Sequence, residues 1–139
     1  MYKTLIGKIQ TTLEKVESIS KIYAYPVTKI EGYPAVIFIP TDFENSFSSN
    51  AENFKIYKFY AWVVVSAESK TMAQVFGDIL PDVVDDIVEQ FDEDWDGGNI
   101  DGHRCWIIVD SGAWYTDSTQ DAQTAYTELN ITIKITTDN

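Results

Sequence analysis

The sequence predicts an α+β domain: a single, mostly antiparallel sheet of four to five strands with two helices packed on one face, in the order α-β-β-β-α-β-β. Three observations predict it. Two segments carry apolar residues at helical spacing, several others alternate at strand spacing, and no internal repeat is present. The 139 residues suit one domain spanning 1–139. A chain of that size withdraws roughly two-thirds of its unfolded surface from water, enough for a real core.

The first helix is marked by Tyr2, Leu5, Ile6, Ile9, Leu13 and Val16, which fall on one stripe and give out near Ser18 to Ser20. A short β-branched and aromatic run, Ile22 to Tyr25, stops at Pro26. A turn at Glu31-Gly32 then leads into a strand from Tyr33 to Ile39, and the two runs are expected to form a hairpin. Thr41 to Asn53 is rich in Ser, Asn, Asp and Glu and reads as a long polar loop. Its only large apolar residues are Phe43 and Phe47. These are clamps onto their own domain or contacts for a neighbour.

Phe54 to Ser66 is the strongest strand. Ile56, Tyr60, Trp62 and Val64 lie on one face, and Tyr57, Phe59, Val63 and Val65 on the other. Apolar groups on both faces predict a central strand covered on both sides. A helix covers one side, and a subunit contact is a candidate for the other. The second helix runs from about Thr71 to Phe91, with Thr71 and Gln74 as a capping box. Pro81 should kink it, because the ring presses on the Gly77 carbonyl. An acidic, Gly-rich loop is expected from Asp92 to Gly102, then a strand from Arg104 to Asp110, resumed at Trp114-Tyr115. Ser118 to Gln123 reads as polar loop. The last strand, Tyr126 to Thr136, turns Leu129, Ile131, Ile133 and Ile135 one way and Glu128, Asn130, Thr132 and Lys134 to water.

Charge is unevenly spread. The formal net charge is −12, which argues against a binder of nucleic-acid phosphates and against sequence-specific nucleic-acid recognition. From Asp78 to Asp101 the chain carries ten acidic residues and no basic one. The first 29 residues carry five lysines against Glu14 and Glu17. The alternatives are a solvated acidic helix face, or complementary patches that meet between copies. The second gives Lys8 and Lys15 on one copy and Asp85 and Glu89 on the next as interface candidates. No apolar run reaches the ~18 residues of a membrane helix. The single cysteine excludes an internal disulfide. Synthesis in the cytoplasm, with no signal peptide and no membrane partner, is the expectation.

Catalytic chemistry finds little to build on. His103 and Cys105 are the only His and Cys, and two apart on a strand their side chains run parallel, a poor start for a thiolate–imidazolium contact. Nucleophile elbows, phosphate loops and dinucleotide fingerprints are absent. We expect no enzyme and no cofactor. The best local motif is Asp92-Glu93-Asp94-Trp95-Asp96-Gly97, the opening of a calcium loop, with Asp92, Asp94 and Asp96 as candidate metal ligands. Its twelfth position is His103 where a bidentate Glu belongs, and a strand follows in place of an exiting helix. The alternative is an acidic turn in which Gly97 and Gly98 permit positive φ. These carboxylates lie against the negative end of a helix dipole, so either a cation or a basic partner compensates, or the cost is tolerated.

The stretch from Ile22 to Ile39, with Gly32, Tyr33, Pro34 and Ala35 at its strand start, and the aromatic strand bearing Tyr57, Phe59 and Trp62 carry a resemblance. Together with the element order they make the chain resemble the tail terminator (tail completion, minor tail) proteins of tailed bacteriophages. The resemblance implies a structural virion protein that closes into a ring, usually of six copies, caps the tail tube and joins it to the head-completion complex. Its implied partners are itself, the tube protein and a head-completion or neck protein, and it implies no catalytic residues. Another head–tail connector, or a small acidic calcium-binding module, is the alternative reading.

Overall fold

The computed structural model describes residues 1–47, 52–68, 70–116 and 124–138. It is an α+β fold in which helices back a mixed six-stranded sheet. Helix α1 (Tyr2–Glu14) is followed by β1 (Lys21–Tyr23), β2 (Ala35–Phe47) and β3 (Glu52–Ser66). A composite helix comes next, made of α2 (Met72–Gln74), a π-helical turn (Val75–Ile79) and α3 (Leu80–Glu93). Strands β4 (Asp96–Ile100), β5 (His103–Thr116) and β6 (Thr124–Asp138) close the chain. The spatial order is β1-β2-β3-β6-β5-β4, and every pairing is antiparallel except β1 with β2. No helix among the described residues is long and apolar enough to cross a membrane.

Both helices occupy one face. Leu5, Ile9 and Leu13 of α1 and Leu80, Val83, Ile87 and Phe91 of α3 share one buried cluster with Phe59, Ala61 and Val63 of β3 and Ile131, Ile133 and Ile135 of β6. The alternation expected for β3 and β6 is present: the odd-numbered residues are buried from Tyr57 to Val65 and from Ala125 to Ile135, and the even-numbered residues turn to the other face. The capping box forms as predicted. Thr71 N–H donates to Gln74 Oε1 at 2.9 Å, and Gln74 N–H donates to Thr71 Oγ1 at 3.1 Å.

The expected kink at Pro81 is a widened turn. Leu80 N–H bonds the Val75 carbonyl five residues back, so the bond that closes the π-helical turn comes from the residue immediately before Pro81, which has no N–H to donate. Across it the buried positions step by five, from Val75 to Leu80, before the spacing of three and four resumes at Val83 and Val84.

Three loops or pairings expected from sequence differ. The first two strands form a parallel pair, Lys21 opposite Ala35 and Tyr23 opposite Ile37, not a hairpin. Residues 24–34 are long enough to carry the chain back to the start of β1. Ser20 N–H donates to the Pro34 carbonyl at 2.8 Å, and the Tyr23 hydroxyl accepts the Glu31 N–H at 3.2 Å. The polar stretch from Thr41 continues β2 as far as Phe47, paired with β3 through Asn53, because cross-strand pairing outweighs its turn-prone composition. The acidic Gly-rich loop contains β4, which raises the strand count to six. Asp101 (φ 53°) and Gly102 (φ 84°) make the left-handed turn that folds β4 onto β5. The Ser118 to Gln123 loop lies outside the described residues.

Candidate assembly surfaces

The basic and acidic segments meet within one chain. Lys15, the C-cap of α1, places Nζ 2.7 Å from Oδ2 of Asp94, the C-cap of α3. Lys8 Nζ donates to the Gly97 carbonyl at 2.7 Å, and Ser18 Oγ to Asp86 Oδ2 at 3.0 Å. Two lysines of α1 in the same chain thus stand at the acidic C-terminus of α3. The Lys15 ammonium, bonded to Asp94 and helped by Gln90, holds that carboxyl below its ordinary value against the opposing effect of burial. Asp85 and Glu89, the other members of the expected interface, remain exposed on α3 and meet neither lysine through an ion pair.

The calcium-loop residues are dispersed among other tasks. Asp94 is engaged by Lys15 and Gln90. Asp96 Oδ1 accepts the Gly98 N–H at 3.0 Å, and its other oxygen faces Arg104 Nη2 at 3.7 Å. Asp92 is exposed on the last turn of α3. Among the described residues no group of three or more His, Cys, Asp or Glu side chains is arranged to hold a metal. Gly98 takes positive φ (71°), whereas Gly97 is required for close approach: a Cβ there would stand 2.8 Å from Cys105 Sγ.

Phe43 is more than half exposed and stacks on Tyr57, with ring centroids 6.3 Å apart. Tyr57 in turn meets the edge of Tyr2, so the aromatic group fastens the β2–β3 arm to the start of α1. Phe47 ends β2, and its side chain lies outside the described residues.

The sheet face away from the helices was the less legible feature. Ile37 pairs with Trp62, Ile39 with Tyr60, and Val64 with Tyr126, whose ring stacks on Tyr115 at 5.2 Å. Ile108, Tyr60 and Tyr115 are each more than a third exposed. Among the described residues no helix packs there. Bulges in β2 (between Pro40 and Phe43) and in β5 (between Val109 and Ser111) flank the same Phe59–Ile131 row. They set Asp42 and Asp110 around a polar depression of about 280 Å³ floored by Lys58, Tyr60, Asn130 and Thr132. Thr132 Oγ1 donates to Asp110 Oδ2 at 2.9 Å, and Asn130 Nδ2 to Ser111 Oγ at 2.8 Å. An aromatic and aliphatic surface with a hydrogen-bonding centre has the make-up of a protein contact.

Cys105 is fully buried, and burial pushes its thiol up, with Lys8 opposing and Asp96 reinforcing. No hydrogen bond joins it to His103, which opens β5 opposite Ile100. Neither a protein-family model nor a curated protein matches the chain.

Proposed function

We propose that the chain is a structural subunit of a phage tail that assembles through its open sheet face, closing into a ring that terminates the tail tube and joins it to the head-completion complex. The single observation that carries an assembly role is that open face, where Ile37, Ile39, Tyr60, Trp62, Ile108 and Tyr115 share the side that no described helix covers. Tyr60, Ile108 and Tyr115 are each more than a third exposed there, with Ile37, Ile39 and Trp62 partly buried beside them, and exposed apolar groups gathered on one face favour an interaction site. The tail role is supported by the resemblance at Gly32-Tyr33-Pro34-Ala35 and along the aromatic strand.

The intramolecular use of Lys8 and Lys15 alters how a ring would form. Charge pairing between α1 of one copy and α3 of the next is replaced by contacts of the sheet face, with the exposed acids of α3 left for the rim or for a basic partner. Rings need contacts in which one surface meets a different surface of the next copy. The sheet face and the acidic helix face are two such different surfaces. Electron microscopy of particles assembled without the chain tests the reading. Overlong or headless tails agree with it, and normal joined tails oppose it. Native mass measurement of the chain with tube protein gives the copy number, for which the reading expects six.

A further inference from the structure

We propose that the open sheet face docks on the acidic helix layer of a second copy of this chain, with Lys134 and Arg104 of the first entering the groove between α1 and α3 of the second. The proposal rests on the open-face reading and names the surface that meets that face.

The register of the sheet builds the basic side. Lys134 of β6 stands between Ile56 of β3 and Trp106 of β5, and Arg104 lies two residues from Trp106 on the same face. Their chain neighbours Cys105, Ile133 and Ile135 are buried in the core shared with the helices, which turns both cations to the open face. Lys134 Nζ lies 3.8 Å from the centroid of the Phe54 ring, and the Arg104 guanidinium 5.3 Å from that of Trp106. A ring under the cation restricts a long side chain, so less freedom is lost when a partner orders it. Lys134 is exposed, and among the described residues no carboxylate lies within ion-pair distance of it. Arg104 has only Asp96, at 3.7 Å and with both side chains about half exposed. That contact is a weak surface pair, easily exchanged.

The acidic side lies in the other layer. Helix α3 carries six carboxylates and no Lys or Arg. Glu17, just beyond α1, and Asp86, Glu89 and Glu93 of α3 line a groove of about 290 Å³. Its one lysine, Lys15, is already engaged by Asp94 at 2.7 Å. Asp86 accepts the Ser18 hydroxyl, and among the described residues Glu17, Glu89 and Glu93 form no ion pair. Both helices end beside the groove and add the negative ends of their dipoles. Its volume sits at the foot of the range for small-molecule pockets, roughly 300–1,000 Å³, and suits an inserted side chain.

The two surfaces occupy opposite sides of a two-layer domain, so the cations of one chain do not reach its own groove. Between copies they complement each other, and the charges set the register of the contact. One surface then meets a different surface of the next copy, as a ring requires.

Equal amounts of unlabelled and ¹⁵N-labelled full chain, mixed at low salt and treated with a zero-length carbodiimide, test the contact. Peptides joining Lys134 of one isotope to Glu89 or Glu93 of the other are the expected product. In sedimentation at low salt, Lys134→Glu/Arg104→Glu should weaken self-association at least about tenfold. Lys134→Arg should leave it unchanged, and adding Glu89→Lys/Glu93→Lys to the reversed chain should restore it. Thermal unfolding first establishes that each variant is folded. Absence of mixed-isotope cross-links at these acids overturns the proposal, as does association indifferent to the reversal or a reversal without rescue. If Tyr60→Arg/Tyr115→Arg dissociates the chain and the charge reversal does not, this contact fails and the open-face reading stands. If neither changes assembly, both fail.

Discussion

Lys15 and Asp94 join two helix C-caps through one 2.7 Å ion pair. The contact ties α1 to the end of α3, and it sets a cation where both helix dipoles end negative. Lys15 is half exposed, so its energetic weight is that of a surface pair. In a double-mutant cycle, Lys15→Met and Asp94→Asn should each lower stability by no more than about 1 kcal/mol. The coupling between them should fade in high salt. Urea unfolding of the four proteins measures both effects, and a cycle with zero coupling at low salt would show that the pair is idle.

Acid should act through the same carboxylate. The folded-state value of Asp94 is lowered, chiefly by its hydrogen bond from Lys15. Its contribution to stability is therefore present above the unfolded value of about 3.9 and is lost as pH falls through the lower folded value. Asp94→Asn should flatten the stability curve below about pH 4 and leave its shape near neutrality unchanged. Thermal unfolding across pH 2 to 7 (roughly the carboxylate range) checks this, and equal acid slopes for the two proteins would contradict it.

Gly97→Ala should be costly for a reason that charge does not enter. The new Cβ would stand 2.8 Å from Cys105 Sγ and 3.2 Å from the Cys105 carbonyl oxygen. Neither the fully buried thiol nor the paired backbone can yield freely, and overpacking of this kind costs about 1–3 kcal/mol. Denaturant unfolding gives the value. A change under about 0.5 kcal/mol, the size of an ordinary surface substitution, would mean that β4 shifts at little cost.

Cys105 should be inert while the chain is folded. The thiol is buried and its ionisation is pushed up, so the reactive thiolate is both scarce and shielded. A chromogenic disulfide reagent should label it only in denaturant. Prompt labelling of the native protein would place the thiol at the surface.

Much of the fold was legible where periodicity is strong. The α1 stripe, the Thr71–Gln74 capping box and the two-faced β3 follow from side-chain spacing alone. Strand β4 was hidden because Asp96-Gly97-Gly98-Asn99 has no apolar alternation. Its place depends on β5 and on the approach of Gly97 to Cys105. The parallel β1–β2 pair was hidden because Pro26 and Glu31-Gly32 mark turns without stating the path between them. The charge division was plain in the sequence, but charge does not say whether Lys15 meets its own Asp94 or that of another copy. Apolar residues on both faces of β3 pointed to apolar groups on the sheet face away from the helices, where Tyr60 and Trp62 lie. Its bulge-flanked centre at Asp42 and Asp110 required the register of four strands.

The central claim is that the open sheet face assembles the tail. Tyr60 and Tyr115 lie on that face with more than a third of their surface exposed, so the double substitution Tyr60→Arg/Tyr115→Arg should cost the isolated chain little stability. The decisive measurement is electron microscopy of particles whose only copy of the chain carries both changes, after thermal unfolding has shown the variant to be folded. Tails that are overlong or lack heads are the predicted result. Tails of normal length joined to heads would contradict the account.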